Sequence, residues 1–342
     1  MTDLSLLKDF CALEGISGCE DKVRERILQE ITPYVTDVRV DPLGSIIAFK
    51  KGKARAKTDL MLSAHMDEVG LIVTHITEEG FLKFTTVGGI DKRILVGKRV
   101  SVNGVPGVIG AKPTHMLKGD QRGAAVPLDE LTIDIGAASK EEAEAVVAPG
   151  DPVCFASEFF VQDGAIFGKA LDDRAGCAIL IELIRQELPY DMTFVFCVQE
   201  EIGLRGAKAA AYSVAPEAAI VVETTTAADL PDITGEQRVC AVGGGPVVSF
   251  MDRATIYDRK FYELAFALAK EQEIPCQTKH MVAGGNDAGA IHQSRGGVRT
   301  ISVSLPCRYL HGPTGRIAQS DYRHAQELIL SLANSIAGSS EP

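Results

Sequence analysis

The chain has 342 residues, of which 46% are hydrophobic and 24% charged, and its formal net charge is −11. This composition supports one large globular domain or one domain with an insertion, and the acidic balance argues against a nucleic-acid partner. No apolar run is long enough to span a bilayer, and the first residues do not resemble a signal peptide. We therefore expect a cytoplasmic protein with no membrane partner.

The first part of the chain alternates predicted helices and strands. Apolar residues at helical spacing predict a helix over residues 4–13, and a capping-box pattern at Ser17 and Glu20 predicts the start of a second helix. Two extended runs around a Pro-Leu-Gly turn predict a hairpin. Residues 58–64 are apolar on both faces, which is typical of a buried strand, and they lead directly into His65 and Asp67.

Residues 69–164 have a different pattern. Short strand-like runs with glycine-bearing turns fill this segment, and one helix is predicted over residues 139–147. The pattern favours a small β-rich, barrel-like domain inserted into the main fold. The main domain would then comprise residues 1–68 and 165–342.

The rest of the chain alternates helices with buried strands. Helices are predicted over residues 173–188, 203–212, 259–271 and 320–336, and strands over residues 192–198, 218–222 and 298–305. Alternation of this kind predicts an α/β fold, in which a sheet with parallel strands is covered by helices on both faces.

Acids and histidines stand where the predicted strands end or the next helix begins: His65, Asp172, Asp173, Glu200, Glu201, Glu223 and His311. If the strands are parallel neighbours, these groups meet at one edge of one sheet. So many acids in one cleft would repel each other unless cations neutralised them. Imidazole and carboxylate together suit zinc, cobalt or manganese, and this set is large enough for two metal ions.

Each of these residues also has an ordinary explanation. His65 and Asp67 could be a surface pair, Asp172 and Asp173 could cap a helix, and the remaining residues could lie at exposed strand ends or in loops. Together, these explanations require separate coincidences at the same edge, so a metal cluster is the favoured hypothesis. The sequence contains no HExxH, GxSxG, Walker or strand-linked GxGxxG motif that would indicate another chemistry.

Five segments carry a resemblance to a known family: SAHMDEVG (63–70), GKALDDRAGCA (168–178), QEEIGLRGA (199–207), GGNDAGAIH (284–292) and RYLHGPTG (308–315). They resemble the glutamyl-/tetrahedral-aminopeptidase family of dinuclear metallo-aminopeptidases, and the likeness extends along nearly the whole chain. The resemblance implies a zinc-exopeptidase-like mixed sheet sandwiched by helices. It also implies that the inserted domain mediates dimerisation and that six dimers build a tetrahedral dodecamer.

The resemblance implies two divalent metal ions per subunit, Zn²⁺ or Co²⁺ by preference and Mn²⁺ as an alternative. His65, Glu223 and a bridging Asp172 would hold one ion, and Asp172, Glu201 and His311 would hold the other. The family commonly has Asp where Glu223 stands.

Catalytic roles are implied for two further residues. Glu200 would be the general base, and Asp67 would hold His65 through its second ring nitrogen. The peptide bond between Asp172 and Asp173 is expected to be cis, as in related enzymes.

The predicted function is therefore hydrolysis of N-terminal residues from peptides by a metal-activated water and a glutamate base. Two alternatives remain, namely a deacylase of N-acyl amino acids or carboxypeptidase on the same fold, and a β-glucanase-type glycoside hydrolase. A non-catalytic scaffold is disfavoured because every ligand and the base are present. Residues 243–253 and 280–292 offer mainly apolar side chains, with Arg253 and Arg295 as basic candidates, so neutral or apolar N-terminal residues are the expected substrates.

Overall fold

The computed structural model describes residues 3–116, 124–282 and 284–340. The helices of these residues are α1 (Ser5–Ala12), α2 (Asp21–Ile31), α3 (Lys140–Glu144), α4 (Leu171–Ile184), α5 (Arg205–Val214), α6 (Arg259–Glu271), α7 (Ala288–Ile291) and α8 (Gln319–Gly338). The strands are β1 (Asp37–Val40), β2 (Ile46–Lys50), β3 (Leu60–His65), β4 (Gly70–Ile76), β5 (Leu82–Val87), β6 (Arg99–Val102), β7 (Val105–Gly110), β8 (Thr132–Asp134), β9 (Pro152–Phe155), β10 (Phe160–Gln162), β11 (Ala165–Gly168), β12 (Met192–Cys197), β13 (Ala218–Thr226), β14 (Val247–Val248), β15 (Gln277–Thr278), β16 (Arg299–Cys307) and β17 (Gly315–Ala318).

The main sheet has eight strands in the order β1-β2-β12-β3-β13-β16-β14-β15. Its four central strands, β12, β3, β13 and β16, run parallel, and the outer pairings include antiparallel ones. Helices α4 and α8 pack together against β3 and β13, while α5 and α7 pack together near β12, β13 and β16. The predicted α/β class, a mixed sheet with helical layers, is confirmed.

Six strands, β4 to β9, close into a barrel in the order β4-β5-β8-β7-β6-β9. The barrel has its own apolar core, which includes Leu71, Val100, Ile133 and Phe155, separate from the core of the main sheet. An inserted β-rich barrel is therefore confirmed. The division into residues 1–68 with 165–342 and residues 69–164 stays a prediction, and residues 117–123 of the insertion lie outside the described residues.

A third sheet joins β10, β11 and β17 and lies outside the barrel. Because β17 directly precedes helix α8, this sheet joins the segment that follows the barrel to the main domain. Strand β10, at residues 160–162 within the predicted insertion, thus pairs outside the barrel. None of the helices in the described parts of the chain is long and apolar enough to cross a membrane.

The capping-box prediction at the start of α2 is wrong. The helix begins at Asp21, and no side chain caps its N-terminus. Ser17 Oγ donates instead to Asp67 Oδ2, and Glu20 Oε1 accepts from the amides of Gly18 and Gln199. The Ser17 hydroxyl and the Glu20 carboxylate, which the local pattern predicts to cap the helix, therefore form hydrogen bonds with other segments instead.

A buried ionic cluster joins the N-terminal segment to the entrance of the barrel. Glu68 lies 2.6 Å from Lys169 Nζ and 3.6 Å from an Arg174 nitrogen. The fully buried Arg174 guanidinium also donates to the main-chain oxygens of Phe10, Gly15 and Met66. These hydrogen bonds hold two separate segments, the N-terminal segment at Phe10 and Gly15 and the residue that follows His65. Because Arg174 is close in sequence to Asp172, they also hold the chain at Asp172 in place.

Candidate metal centre

The central strands deliver two of the predicted ligands to the same level of the sheet. His65 is the last residue of β3, and Ser63 pairs with Val221 of β13 in parallel register. Two residues further along each strand stand His65 and Glu223, both buried and side by side. Glu223 lies inside β13 rather than after its end, because the β-branched residues 224–226 continue the pairing with β16.

Asp172 stands between the two predicted halves of the site. It lies where α4 departs from helical geometry, and the expected cis peptide bond joins it to Asp173. Its Oδ1 is 3.3 Å from His65 Nε2, and its Oδ2 is 3.4 Å from His311 Nε2. One carboxylate therefore faces both imidazoles, with a different oxygen toward each.

Each imidazole faces a second carboxylate as well. His65 Nε2 is 3.4 Å from Glu223 Oε1, and His311 Nε2 is 3.4 Å from Glu201 Oε2. The structure thus brings all five predicted metal ligands together in two groups that share Asp172. Ligand atoms of His65, Asp172 and Glu201 also lie within 4.8 Å of one another.

The other ring nitrogen of each histidine is close to a main-chain carbonyl. His65 Nδ1 is 3.0 Å from the carbonyl oxygen of Asp67, and His311 Nδ1 is 2.9 Å from that of Gly89 in the barrel. A carbonyl can only accept, so each Nδ1 carries a proton and donates it, and Nε2 is the ring nitrogen that faces the carboxylates. Both histidines are oriented as metal ligands usually are.

Asp67 lies beside His65 Nδ1, as predicted, and its side chain also contacts a second segment. Its carboxylate is 3.5 Å from His65 Nδ1, farther than its own main-chain oxygen. The carboxylate instead accepts from the amides of Glu200 and Glu201, at 3.0 and 3.1 Å, and from Ser17 Oγ. The side chain therefore holds the segment that carries the two glutamates.

The cluster contains more buried acid than the surrounding protein neutralises. Burial, with the neighbouring Asp172 charge, raises the pKa of Glu201 to about 8 and that of Glu223 to about 7. Burial opposes protonation of His311, but Asp172 and Glu201 outweigh it and raise its pKa to about 9. Among the described residues, Glu223 Oε2 is buried without a hydrogen-bond partner. Carboxylate oxygens that face the Nε2 atoms of two imidazoles are a donor set that fits divalent cations.

A cleft of about 570 Å³ opens onto this cluster. Glu200 lines it, and burial raises the pKa of Glu200 well above its ordinary value. The lining also includes Gly89, Asn286 and Lys279. Lys279 is 9% exposed, and its ammonium forms no hydrogen bond or ion pair with any described residue.

Sequence reasoning missed Lys279, because β15, which ends just before it, has only two residues and gives no periodic signal. The basic candidates it named do not line the cleft in the described parts of the chain. Arg295 donates to the main-chain oxygen of Tyr212 and stacks over its ring.

The comparisons with known proteins agree with this geometry. A family model described as M42 glutamyl aminopeptidase matches residues 44–328. The chain belongs to this family. Its membership confirms the predicted enzyme class, a hydrolase acting on peptides, and the M42 match supports aminopeptidase activity.

Similarity to individual M42 relatives extends over nearly the whole chain. A putative aminopeptidase from Acetivibrio thermocellus is 40% identical over 95% of this chain and 96% of its own. The TET aminopeptidase of a marine sediment archaeon of the Thaumarchaeota is 38% identical, with a TM-score of 0.92 over 97% of this chain and 95% of that one. The TET1 peptidase of Pyrococcus horikoshii, described as assembling into a tetrahedron or a large octahedral shell, is 36% identical, with a TM-score of 0.83 over 98% and 99% of the two chains.

Replacement of Glu223 tests whether it belongs to one half of the cluster only. We expect Glu223→Ala to lose about one metal ion per chain and to weaken, without abolishing, binding of the other, because Asp172 contacts both halves. Metal content measured after dialysis against limiting metal checks this. Glu263→Ala, at an exposed position on α6, is the control; two full equivalents in Glu223→Ala would remove Glu223 from the site.

Proposed function

We propose that the chain is a dinuclear metal-dependent aminopeptidase. One observation carries the proposal: the Asp172 carboxylate lies between two imidazoles, and each imidazole faces a further carboxylate of its own. Two divalent cations, Zn²⁺ or Co²⁺ by preference and Mn²⁺ as the alternative, would be held by these five residues. When bound, they would lower the pKa of a water molecule and polarise the scissile carbonyl.

Glu200 is the general base in this proposal. It lines the cleft beside the cluster, but it makes none of the close imidazole contacts of its neighbour Glu201. A carboxylate in that position can take a proton from the attacking water and pass it to the leaving amine. The Asp67 carboxylate accepts a hydrogen bond from the Glu200 amide. Asp67 therefore positions Glu200 and does not itself touch the substrate.

The substrate class follows from the charges of the cleft. The acids of the cluster would attract the free ammonium of a peptide N-terminus, which favours cleavage of the first residue. Lys279 supplies a nearly buried cation in the lining of the same cleft, and no hydrogen bond or ion pair joins its ammonium to another described residue. We therefore propose acidic N-terminal residues as preferred substrates, in line with the family's description as glutamyl aminopeptidases. This proposal differs from the expectation of neutral or apolar residues, which rested on the mainly apolar side chains of residues 243–253 and 280–292.

The two alternatives have less support. A glycoside hydrolase needs two carboxyl groups flanking a sugar, whereas Asp172, Glu201 and Glu223 all lie against imidazoles. A carboxypeptidase would need a cation placed for the substrate's terminal carboxylate, and Lys279 could supply one. Activity on aminoacyl-nitroanilides, which have no such carboxylate, separates the carboxypeptidase from the aminopeptidase.

We also propose that the chain is cytoplasmic and self-associates. All eight cysteines are free, as expected of a reducing compartment. Dimers would form through the inserted barrel domain, residues 69–164, and six dimers would build a tetrahedral dodecamer, by analogy with the assembly described for TET1 of P. horikoshii. Light scattering on the metal-loaded protein at micromolar concentration should give a mass near twelve chains, and a stable monomer would refute the assembly.

Two adjacent glutamates give the sharpest test of the mechanism. Glu200→Gln keeps the shape but cannot accept a proton, so kcat should fall by roughly 10²–10⁴-fold while metal content and substrate affinity stay nearly unchanged. Glu201→Gln should lower metal occupancy, and added metal should partly restore its activity. Steady-state kinetics with metal analysis distinguishes the two. An active Glu200→Gln enzyme, or one that loses metal, would show that the roles are wrongly assigned.

Replacement of Lys279 tests the substrate preference. The wild-type enzyme should cleave glutamyl-nitroanilide faster than leucyl-nitroanilide. Lys279→Met should lower kcat/KM for the glutamyl substrate by about tenfold or more, because a hydrogen-bonded charge pair is lost, and should spare the leucyl substrate. Lys260→Met, at an exposed position on α6, is the matched control. Equal losses on both substrates in Lys279→Met would count against the assignment.

A further inference from the structure

The backbone that carries Glu200 and Glu201 is held by carboxylates and not by regular secondary structure. Three consecutive amides donate to acids: Gln199 N to Glu20 Oε1 at 3.1 Å, and the amides of Glu200 and Glu201 to the two oxygens of Asp67. Strand β12 ends at Cys197 and helix α5 begins only at Arg205. These acceptors therefore fix the direction in which both glutamate side chains leave the chain.

Gln199 makes this support necessary. Its φ is +56°, in the left-handed region that residues with a side chain seldom adopt. The turn at Gln199 bends the chain immediately before the two glutamates. Glu20, which is buried and accepts from the Gln199 amide, holds the residue in that conformation.

Ser17 supports the other acceptor. Its hydroxyl donates to Asp67 Oδ2 at 2.6 Å, and this is the same oxygen that accepts from the Glu201 amide. Asp67 is fully buried, so its charge depends on the donors that surround it. Without the Ser17 hydroxyl, the two amides of Glu200 and Glu201 would still donate to the carboxylate, but Oδ2 would lose its shortest hydrogen bond and be held less firmly.

The loop that carries Ser17 and Glu20 is itself anchored. The main-chain oxygen of Gly15 accepts from the Glu68 amide at 3.0 Å and from Arg174 at 3.2 Å, and Ile16 forms a β-bridge with Glu68. Glu20 also accepts from Gly18 within the loop. The N-terminal loop, residues 15–20, is therefore a fixed support, and its hydrogen bonds to Asp67 and Gln199 connect it to the site.

We propose that Ser17 and Glu20 are positioning residues of the active site, which aim Glu200 at its proton and Glu201 at the metal beside His311. The inference rests on the proposed function for the roles of the two glutamates. It goes beyond that function by assigning the SGCE segment to catalysis instead of to the start of α2.

The experiment compares Ser17→Ala with Ser17→Thr, and Glu20→Ala with Glu20→Gln. Each conservative variant keeps the atom that makes the bond, a hydroxyl in one case and a carbonyl oxygen in the other. Kinetics on an aminoacyl-nitroanilide at saturating metal, metal affinity by titration and the thermal midpoint are measured for each. Ser139→Ala is the control, because it removes a serine side chain that accepts a helix-capping bond in the barrel domain, away from the cluster.

We expect kcat to fall by about tenfold or more in Ser17→Ala and Glu20→Ala, with KM within about twofold of wild type. Metal affinity should fall in both, and Ser17→Thr and Glu20→Gln should recover most of both losses. Ser139→Ala should lose thermal stability at unchanged kcat. The inference is overturned if the alanine variants keep wild-type kcat and metal affinity, or if the conservative variants lose as much as the alanine variants.

Failure of the proposed function has a different signature. A wild-type protein that binds metal but cleaves no aminoacyl substrate would contradict the aminopeptidase assignment. The metal affinities of the Ser17 and Glu20 variants, relative to wild type, would still decide whether the N-terminal loop positions Glu201.

Discussion

The crowding of buried carboxylates at one edge of the main sheet is the constraint on which the rest of the structure depends. Four acids and two imidazoles meet at this edge, and Glu223 keeps an oxygen without a hydrogen-bond partner among the described residues. Such a group is stable only if positive charge enters it or protons are retained. The buried parallel strands supply the rigidity that keeps the acids together despite their repulsion.

The acids near the site fall into two kinds, and their donors tell them apart. Asp67, Asp173 and Glu20 accept hydrogen bonds from main-chain amides, so these side chains hold the backbone in place. Asp172 and Glu223 differ in that each directs an oxygen at His65 Nε2, although Glu223 Oε1 also accepts from the amide of the adjacent Thr224. Adjacent residues, such as Asp172 and Asp173, can therefore have opposite tasks although their chemistry is the same.

Much of this arrangement could be predicted from the sequence because long apolar strands followed by acids give a strong, local signal. The class of fold and the residues of the cluster came from such runs, whereas the barrel came from short strand-like runs with glycine-bearing turns. Ser17 and Glu20 were misassigned because a capping box is defined by spacing alone, whereas their real partners lie 50 and 179 positions away. Lys279 follows a two-residue strand, and its importance depends on a cleft formed by distant segments.

The inserted segment also contributes to the candidate metal centre, through Gly88 and Gly89. The main-chain oxygen of Gly89 accepts a hydrogen bond from His311 Nδ1. Gly88 lies so close to Glu201 that a Cβ added to Gly88 would be 3.3 Å from the Cβ of Glu201. The histidine and the glutamate of one half of the cluster thus each have a neighbour from the insertion. A shortened protein without the barrel would keep the main sheet but free the His311 ring to rotate, so the insertion cannot be exchanged as an independent module without altering the chemistry.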